Sequence, residues 1–181
     1  MDLPSRLEER LKQLFARKRD RETFVVEAIE HSLAEMESGE SDLPVSVGGT
    51  IHLYCDGGSR GNPGEAAVGC VIKDPLSGAI LRTYKERIGV QTNNVAEYEA
   101  LIAGLKLAKK YRPNRLVCHL DSELVVKQLR GEYRVKMPSL QPLVEQILSL
   151  KDSFSEVVFQ SIAREENREA DRLVNEALDG R

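Results

Sequence analysis

At Thr50 the hydrophobic periodicity of this chain changes, and the change limits it to one fold class. Up to about residue 42, apolar residues recur at helical spacing: Leu3, Leu7, Leu11 and Leu14 form one stripe, and Val25, Ile29, Leu33 and Met36 another. Beyond it come strand-like runs over 50–55, 66–73 and 79–88. They are separated by Pro63-Gly64 and by Asp74-Pro75-Leu76-Ser77-Gly78, which carry turn chemistry. Helical patterns over 93–111, 122–130, 140–150 and 167–178 then alternate with apolar strands over 115–120 and 156–162. A meander followed by alternation predicts an α/β fold, with helices flanking a mixed five-stranded sheet that is antiparallel first and parallel afterwards.

Three segments follow. Residues 1–42 form an acidic helical extension, 43–49 a linker containing Pro44 and Gly48-Gly49, and 50–181 the main domain. The extension's stripes could dock on its own domain, on a partner or on a second copy of the chain. No run approaches the ~20 apolar residues that span a bilayer. The N-terminal stretch also lacks an apolar signal-like core, so no membrane partner is expected and a cytoplasmic location is. Cys55, Cys70 and Cys118 all fall in apolar runs without a CxxC pair, which predicts buried thiols rather than disulfides or zinc ligands. Net charge is −3, but residues 1–42 alone carry 7 basic and 11 acidic residues, so the remainder is close to neutral. Such a surface can still meet phosphate.

Four acids carry the chemistry. Asp56 and Asp121 each end an apolar strand, where an α/β fold places its active site. Glu97 precedes Leu101 and Leu105 at i+4 and i+8, and Asp171 precedes Val174 and Leu178 at i+3 and i+7, so both belong to the apolar side of a helix. Converging carboxylates cannot all stay ionised near a core without counter-charge, and a divalent cation is the natural source. The glycine-rich run Gly57–Gly64 lacks the Lys-Ser/Thr ending of a P-loop. It reads as a wide turn whose amides could meet a phosphate or a sugar hydroxyl. Thr92, Asn93 and Asn94 precede the Glu97 helix; one of them caps it, and the exposed helix start suits a backbone phosphate. Ser122 is placed to cap the following helix.

DGGSRGNPG, TNNVAEYEAL, LDSELVVKQL and NREADRLVN, in this order and spacing, resemble the motifs of the type 1 ribonuclease H family over about residues 50–179. The resemblance implies an RNase H-like fold and endonucleolytic cleavage of the RNA strand of RNA–DNA hybrids, leaving 5′-phosphate and 3′-hydroxyl ends. It makes Asp56, Glu97, Asp121 and Asp171 catalytic metal ligands for two Mg²⁺ ions, with Mn²⁺ as the alternative. Two ions about 4 Å apart would clamp the scissile phosphate, with Asp56 as the bridging ligand. Gly58, Ser59, Arg60, Gly61 and Asn62 correspond to the family's RNA-strand contact, and Thr92, Asn93 and Asn94 lie where its minor-groove and backbone contacts fall. RNA would be told from DNA by hydrogen bonds to 2′-hydroxyls; double-stranded RNA is a further possible substrate.

The chain departs from many members in three ways. The loop over 161–166 holds no histidine, which leaves catalysis to metal ions with Arg164 or Glu166 as possible helpers. The long basic protrusion is missing, with only Arg130, Tyr133, Arg134 and Lys136 near Gly131. The acidic extension has neither Tyr nor Trp for stacking on a hybrid. These features resemble the compact branch of archaea and many bacteria. The alternatives are a non-catalytic hybrid- or dsRNA-binding module of the same fold, or another nuclease of the superfold. A proofreading exonuclease would need a DxE pair where this chain has Asp56-Gly57-Gly58.

Overall fold

The computed structural model describes residues 49–180, together with Glu8, Glu9, Lys12, Lys18, Arg21, Glu22, Val25 and Val26 of the N-terminal segment, all eight helical. The apolar stripes expected over residues 3–14 and 29–36, and the linker up to Gly48, lie outside the described residues. The chain divides into two units, Met1–Leu43 and Pro44–Arg181. In the first, Glu8–Lys12 (2.8 Å) and Lys18–Glu22 (3.6 Å) pair at i,i+4, the spacing at which charges meet on a helix face.

The second unit is built on a five-stranded sheet in the order β3-β2-β1-β4-β5. Its strands are β1 (Thr50–Gly61), β2 (Gly64–Lys73), β3 (Ile80–Gln91), β4 (Arg115–Leu120) and β5 (Val157–Ser161). The helices are α1 (Asn93–Ala108), α2 (Glu123–Leu129), α3 (Gln141–Lys151) and α4 (Arg168–Asp179). β1, β2 and β3 pair antiparallel, whereas β4 pairs parallel with both β1 and β5, as the sequence predicts.

β1 runs on to Gly61, six residues past the expected end. Gly57–Gly61 pair with Gly64–Val68 of β2, and the reversal is confined to Asn62-Pro63, joined by a cis peptide bond. The glycine-rich run is therefore mostly strand rather than turn, and Gly57 and Gly58 face packed helices, as described below. The second reversal matches expectation: Asp74 accepts from the Leu76 amide (3.0 Å) and the Ser77 hydroxyl (2.7 Å), while Gly78 takes φ 70°.

Two apolar cores sandwich the sheet. Alternation sends Ile51, Leu53 and Cys55 of β1, with Leu116, Cys118 and Leu120 of β4, to the face covered by α1, α2 and α3. α4 covers part of the other face, where Val174, Ala177 and Leu178 pack on Ala67 of β2. β2, inside the sheet between β3 and β1, is buried over Ala66–Ile72, as a strand covered on both faces must be, while edge strand β3 is charged and largely exposed. Cys55, Cys70 and Cys118 are free, buried thiols. Among the described residues no helix is long and apolar enough to cross a membrane.

Candidate active site

The register of β1 against β4 places Tyr54 opposite His119. Continued two residues further, it sets Asp56 level with Asp121 on strands about 4.8 Å apart. Asp56 lies on the α4 face of the sheet, since Cys55 faces α1. Asp171 comes from the first turn of α4, which approaches closely because Gly69 has no side chain: a Cβ there would stand 2.5 Å from the Ala170 carbonyl oxygen. Glu97 arrives from the other face on α1. It reaches the same end of the sheet because a Cβ on Gly57 would meet the Ala96 carbonyl oxygen at 2.0 Å and the Glu97 amide nitrogen at 2.5 Å. Gly57 is thus a spacer that lets α1 lie against the end of β1.

The electrostatics register this convergence. Burial, then the charges of Asp121 and Asp171, push the Asp56 carboxyl up to about 7, against partial relief from the Gly57 amide and Arg164. Burial pushes Glu97 up to about 7 as well; a hydrogen bond with Ser122 opposes this, and Asp121 and Asp56 add to it. Two carboxyls raised this far, by burial first and by neighbouring carboxylates second, mark a functional-site candidate. Arg164, in the 3-10 turn Arg164–Glu166 ahead of α4, donates to Asp171 Oδ1 at 3.0 Å, but its side chain is 77% exposed and water screens much of its field.

The remaining expected site residues divide between the rim and structural duty. Thr92 is the cap of α1, its hydroxyl accepting from the Val95 amide at 3.3 Å. Asn93 and Asn94 are left exposed at the helix start; the Asn93 amide donates to Asn62 Oδ1 (3.2 Å) and its side chain to Glu97 Oε1 (3.4 Å). The Ser59 hydroxyl bonds the Gly61 and Gln91 carbonyls (2.5 and 2.9 Å), and Arg60 pairs with Asp179. Gly58 faces Val174 of α4, where a Cβ would stand at 3.1 Å, so it too admits a helix. Glu166 folds back to accept from the Ala163 amide at 3.0 Å. His119 contacts His52 (Nε2···Nδ1 3.2 Å) and stacks on Tyr54 (4.5 Å between ring centroids); burial, then His52, lower it to about 4, so it is neutral near pH 7. Beside Glu97 opens a groove of about 600 Å³ whose lining includes Asn94, Tyr98, Gln128, Tyr133, Arg134 and Lys136.

Reading the sequence misses two site residues and mistakes the use of a third. Asn167, 1% exposed, donates to the Cys55 carbonyl (2.9 Å) and to Asp121 Oδ1 (3.3 Å). Gly57 is hidden inside an apparent turn. Ser122 stands at the N-cap of α2 but makes no side-chain cap hydrogen bond; it bonds Glu97 instead. Only the position of Asn167, four residues before Asp171, could have drawn attention to it.

The donor set is hard carboxylate oxygen, matched to Mg²⁺ or Mn²⁺. Among the described residues no three His, Cys, Asp or Glu side chains are grouped as a ready metal cage.

Residues 54–177 match the Reverse transcriptase-like family. A bifunctional protein of Mycobacterium tuberculosis is 44% identical over 129 residues, 71% of this chain, although the chain spans only 35% of that protein's length. Ribonuclease HI of Halobacterium salinarum is 42% identical over 132 residues, covering 73% of this chain and 66% of the relative. The crystal structure of RNase H1 from the same archaeon superposes with a TM-score of 0.71 at 41% identity, over 74% of this chain and all (100%) of that one. LC11-RNase H1 in complex with an RNA/DNA hybrid gives 0.67 at 44% identity, over 72% of this chain and 97% of the other. Likeness of this extent, over the strands and helices that bring the four acids together, places the chain in the type 1 ribonuclease H family.

Proposed function

We propose that the chain is a ribonuclease H, an endonuclease that hydrolyses the RNA strand of RNA–DNA hybrids and leaves 5′-phosphate and 3′-hydroxyl ends. This reading follows from the meeting of Asp56, Glu97, Asp121 and Asp171 at one end of the sheet, where burial and then the neighbouring carboxylates push Asp56 and Glu97 up to about 7. A binding module would have no use for this arrangement, which disfavours the folded state at neutral pH. The hybrid complex of LC11-RNase H1, a relative that matches across the whole folded unit, supports the choice of substrate.

The four acids would hold two divalent cations, Mg²⁺ or Mn²⁺. When bound, the cations supply Lewis-acid stabilisation of the scissile phosphate and make water a stronger nucleophile at neutral pH. The chain's own residues orient and select. Asn93 and Asn94, at the exposed start of α1, offer donors to a backbone phosphate or a 2′-hydroxyl. The groove beside Glu97 extends the surface along the duplex, where Tyr133, Arg134 and Lys136 provide a ring face and positive charge. Arg164 holds Asp171 in place and keeps positive charge near Asp56 and Asp121.

The substrate is tested by offering labelled RNA–DNA hybrid, duplex DNA and duplex RNA of one sequence with Mg²⁺. Internal cleavage of RNA in the hybrid with duplex DNA intact is expected; binding of the hybrid without cleavage would favour a binding module. The duplex RNA arm decides whether that second substrate is also cut. Arg164→Ala should lower kcat about tenfold and change the hybrid KM less, because the guanidinium holds a carboxylate at the reacting end of the site. Steady-state kinetics at saturating Mg²⁺ check this, and an unchanged kcat would remove Arg164 from the machinery.

A further inference from the structure

Asn167 stands at the N-cap of α4, a position where Asn ordinarily turns its side-chain oxygen on the helix's own first-turn amides. Here the side chain makes no cap hydrogen bond. It projects across the sheet end instead, and Nδ2 donates at once to the Cys55 carbonyl (2.9 Å) and Asp121 Oδ1 (3.3 Å). Both partners are acceptors, so the amide's orientation is fixed by chemistry: an oxygen turned toward them would have nothing to accept. Asn167 Oδ1 is buried without a hydrogen-bond partner. A residue that neither caps its helix nor satisfies its own oxygen is poorly chosen for stability alone.

Its connections supply another reason. The Cys55 carbonyl belongs to the peptide that carries Asp56, so holding that oxygen holds the backbone of Asp56. The second bond holds the Asp121 carboxylate directly. The Asn167 carbonyl accepts from the Asp171 amide at 3.1 Å, which places Asp171 one helical turn further on. The buried side chain therefore ties the start of α4, the helix that carries Asp171, to the Asp121 carboxylate and to the peptide before Asp56, so three of the four acids are linked through one residue. Ser122 makes a similar link to the fourth, its hydroxyl diverted from a cap position to Glu97.

We propose that Asn167 is a positioning residue that sets the mutual placement of Asp56, Asp121 and Asp171, and through it the affinity of the site for divalent cations. The inference rests on the metal-dependent reading of the four acids. Partners that orient metal-binding carboxylates typically change affinity or activity by about 10- to 100-fold when removed.

Asn167→Ser is the informative variant, since Ser caps a helix well but is too short to reach Asp121 or the Cys55 carbonyl. Asn167→Asp keeps the shape and removes the donor. Mn²⁺ binding to the full chain without nucleic acid, followed by electron paramagnetic resonance, reads the site independently of turnover; thermal melts of the metal-free proteins read stability. Asn167→Ser should melt within a few degrees of the parent yet bind Mn²⁺ about tenfold more weakly. Its half-saturating Mg²⁺ for hybrid cleavage should rise by a similar factor while the hybrid KM stays within about twofold. Asn167→Asp should be at least as impaired, although its shape is retained. Parental Mn²⁺ affinity in both variants would overturn the proposal, whatever happens to the melting temperature. A parent that binds Mn²⁺ but cuts no hybrid would instead overturn the ribonuclease reading and leave the binding comparison to decide the role of Asn167.

Discussion

Asp56→Asn should reduce hybrid cleavage by at least about 10³-fold and, in metal-free buffer near pH 8, raise the melting temperature by roughly 5–10 °C. Both effects come from one carboxylate. Burial, and then the charges of Asp121 and Asp171, push Asp56 up to about 7. A carboxyl whose folded pKa lies above its ordinary value favours the protonated folded state. Its contribution to stability is full below about pH 4 and is lost as pH rises through about 7. At pH 8 the metal-free protein therefore carries an ionised, crowded carboxylate, and the neutral amide removes a penalty of about 2 kcal/mol. Glu97, also near 7, acts in the same sense. The metal-free parent should accordingly melt higher at pH 5.5 than at pH 8, by a margin that shrinks in Asp56→Asn. Saturating Mg²⁺ should narrow the gap from the other side, by stabilising the parent more than the variant. Calorimetry across pH with and without Mg²⁺ checks all of this; an Asn variant that melts lower than the parent at pH 8 would contradict the electrostatic account.

Gly57→Ala is the second large effect, and it concerns the scaffold. A Cβ at this position would lie 2.0 Å from the Ala96 carbonyl oxygen, 2.1 Å from its carbon and 2.5 Å from the Glu97 amide nitrogen. All three are backbone atoms inside α1, so no rotamer change relieves the overlap and the helix must move by about an ångström. Overpacking against backbone should destabilise the domain by about 3 kcal/mol or more. It should also carry Glu97 away from Asp56, and a misplacement of that size costs about 10²-fold in rate. Gly78→Ala is the control, because Gly78 has φ 70° with nothing within 4 Å of its added Cβ, and only the left-handed backbone is penalised, by about 1–2 kcal/mol. Urea denaturation compares the two. Equal losses would mean that Gly57 matters for its backbone freedom and not for the approach of α1.

The fold was legible because its signals are local: periodicities of two and of 3.6, and Gly, Pro and Asp at the reversals. Helix and strand ends agree with the structure to within a few residues, apart from β1. There, five of the residues after Asp56 read as a turn because three of them are glycine, yet the strand continues through Gly61. Glycine is required at 57, 58 and 69 by helices that arrive from 30 or more residues away, and nothing local announces that. The four acids were legible for the opposite reason, since each interrupts an apolar pattern that should exclude it. Ser122 and Asn167 carry the residue type and position of helix caps, so a one-dimensional reading gives them that duty. Their diversion to Glu97 and Asp121 depends on where β4 and α4 end in space. Arg164 could be named as a candidate helper, but its bond to Asp171 depends on the 3-10 turn that precedes α4.

Together the four acids should make a divalent-metal site that cuts RNA paired with DNA. It is tested most directly by following an end-labelled hybrid with the parent and with Asp121→Asn, in EDTA and across Mg²⁺ and Mn²⁺ concentrations, and by identifying the product ends. Internal cleavage of the RNA strand by the parent is expected only when Mg²⁺ or Mn²⁺ is present, with 5′-phosphate and 3′-hydroxyl ends and loss of cleavage in Asp121→Asn. Cleavage in EDTA, or full activity in Asp121→Asn, would contradict it.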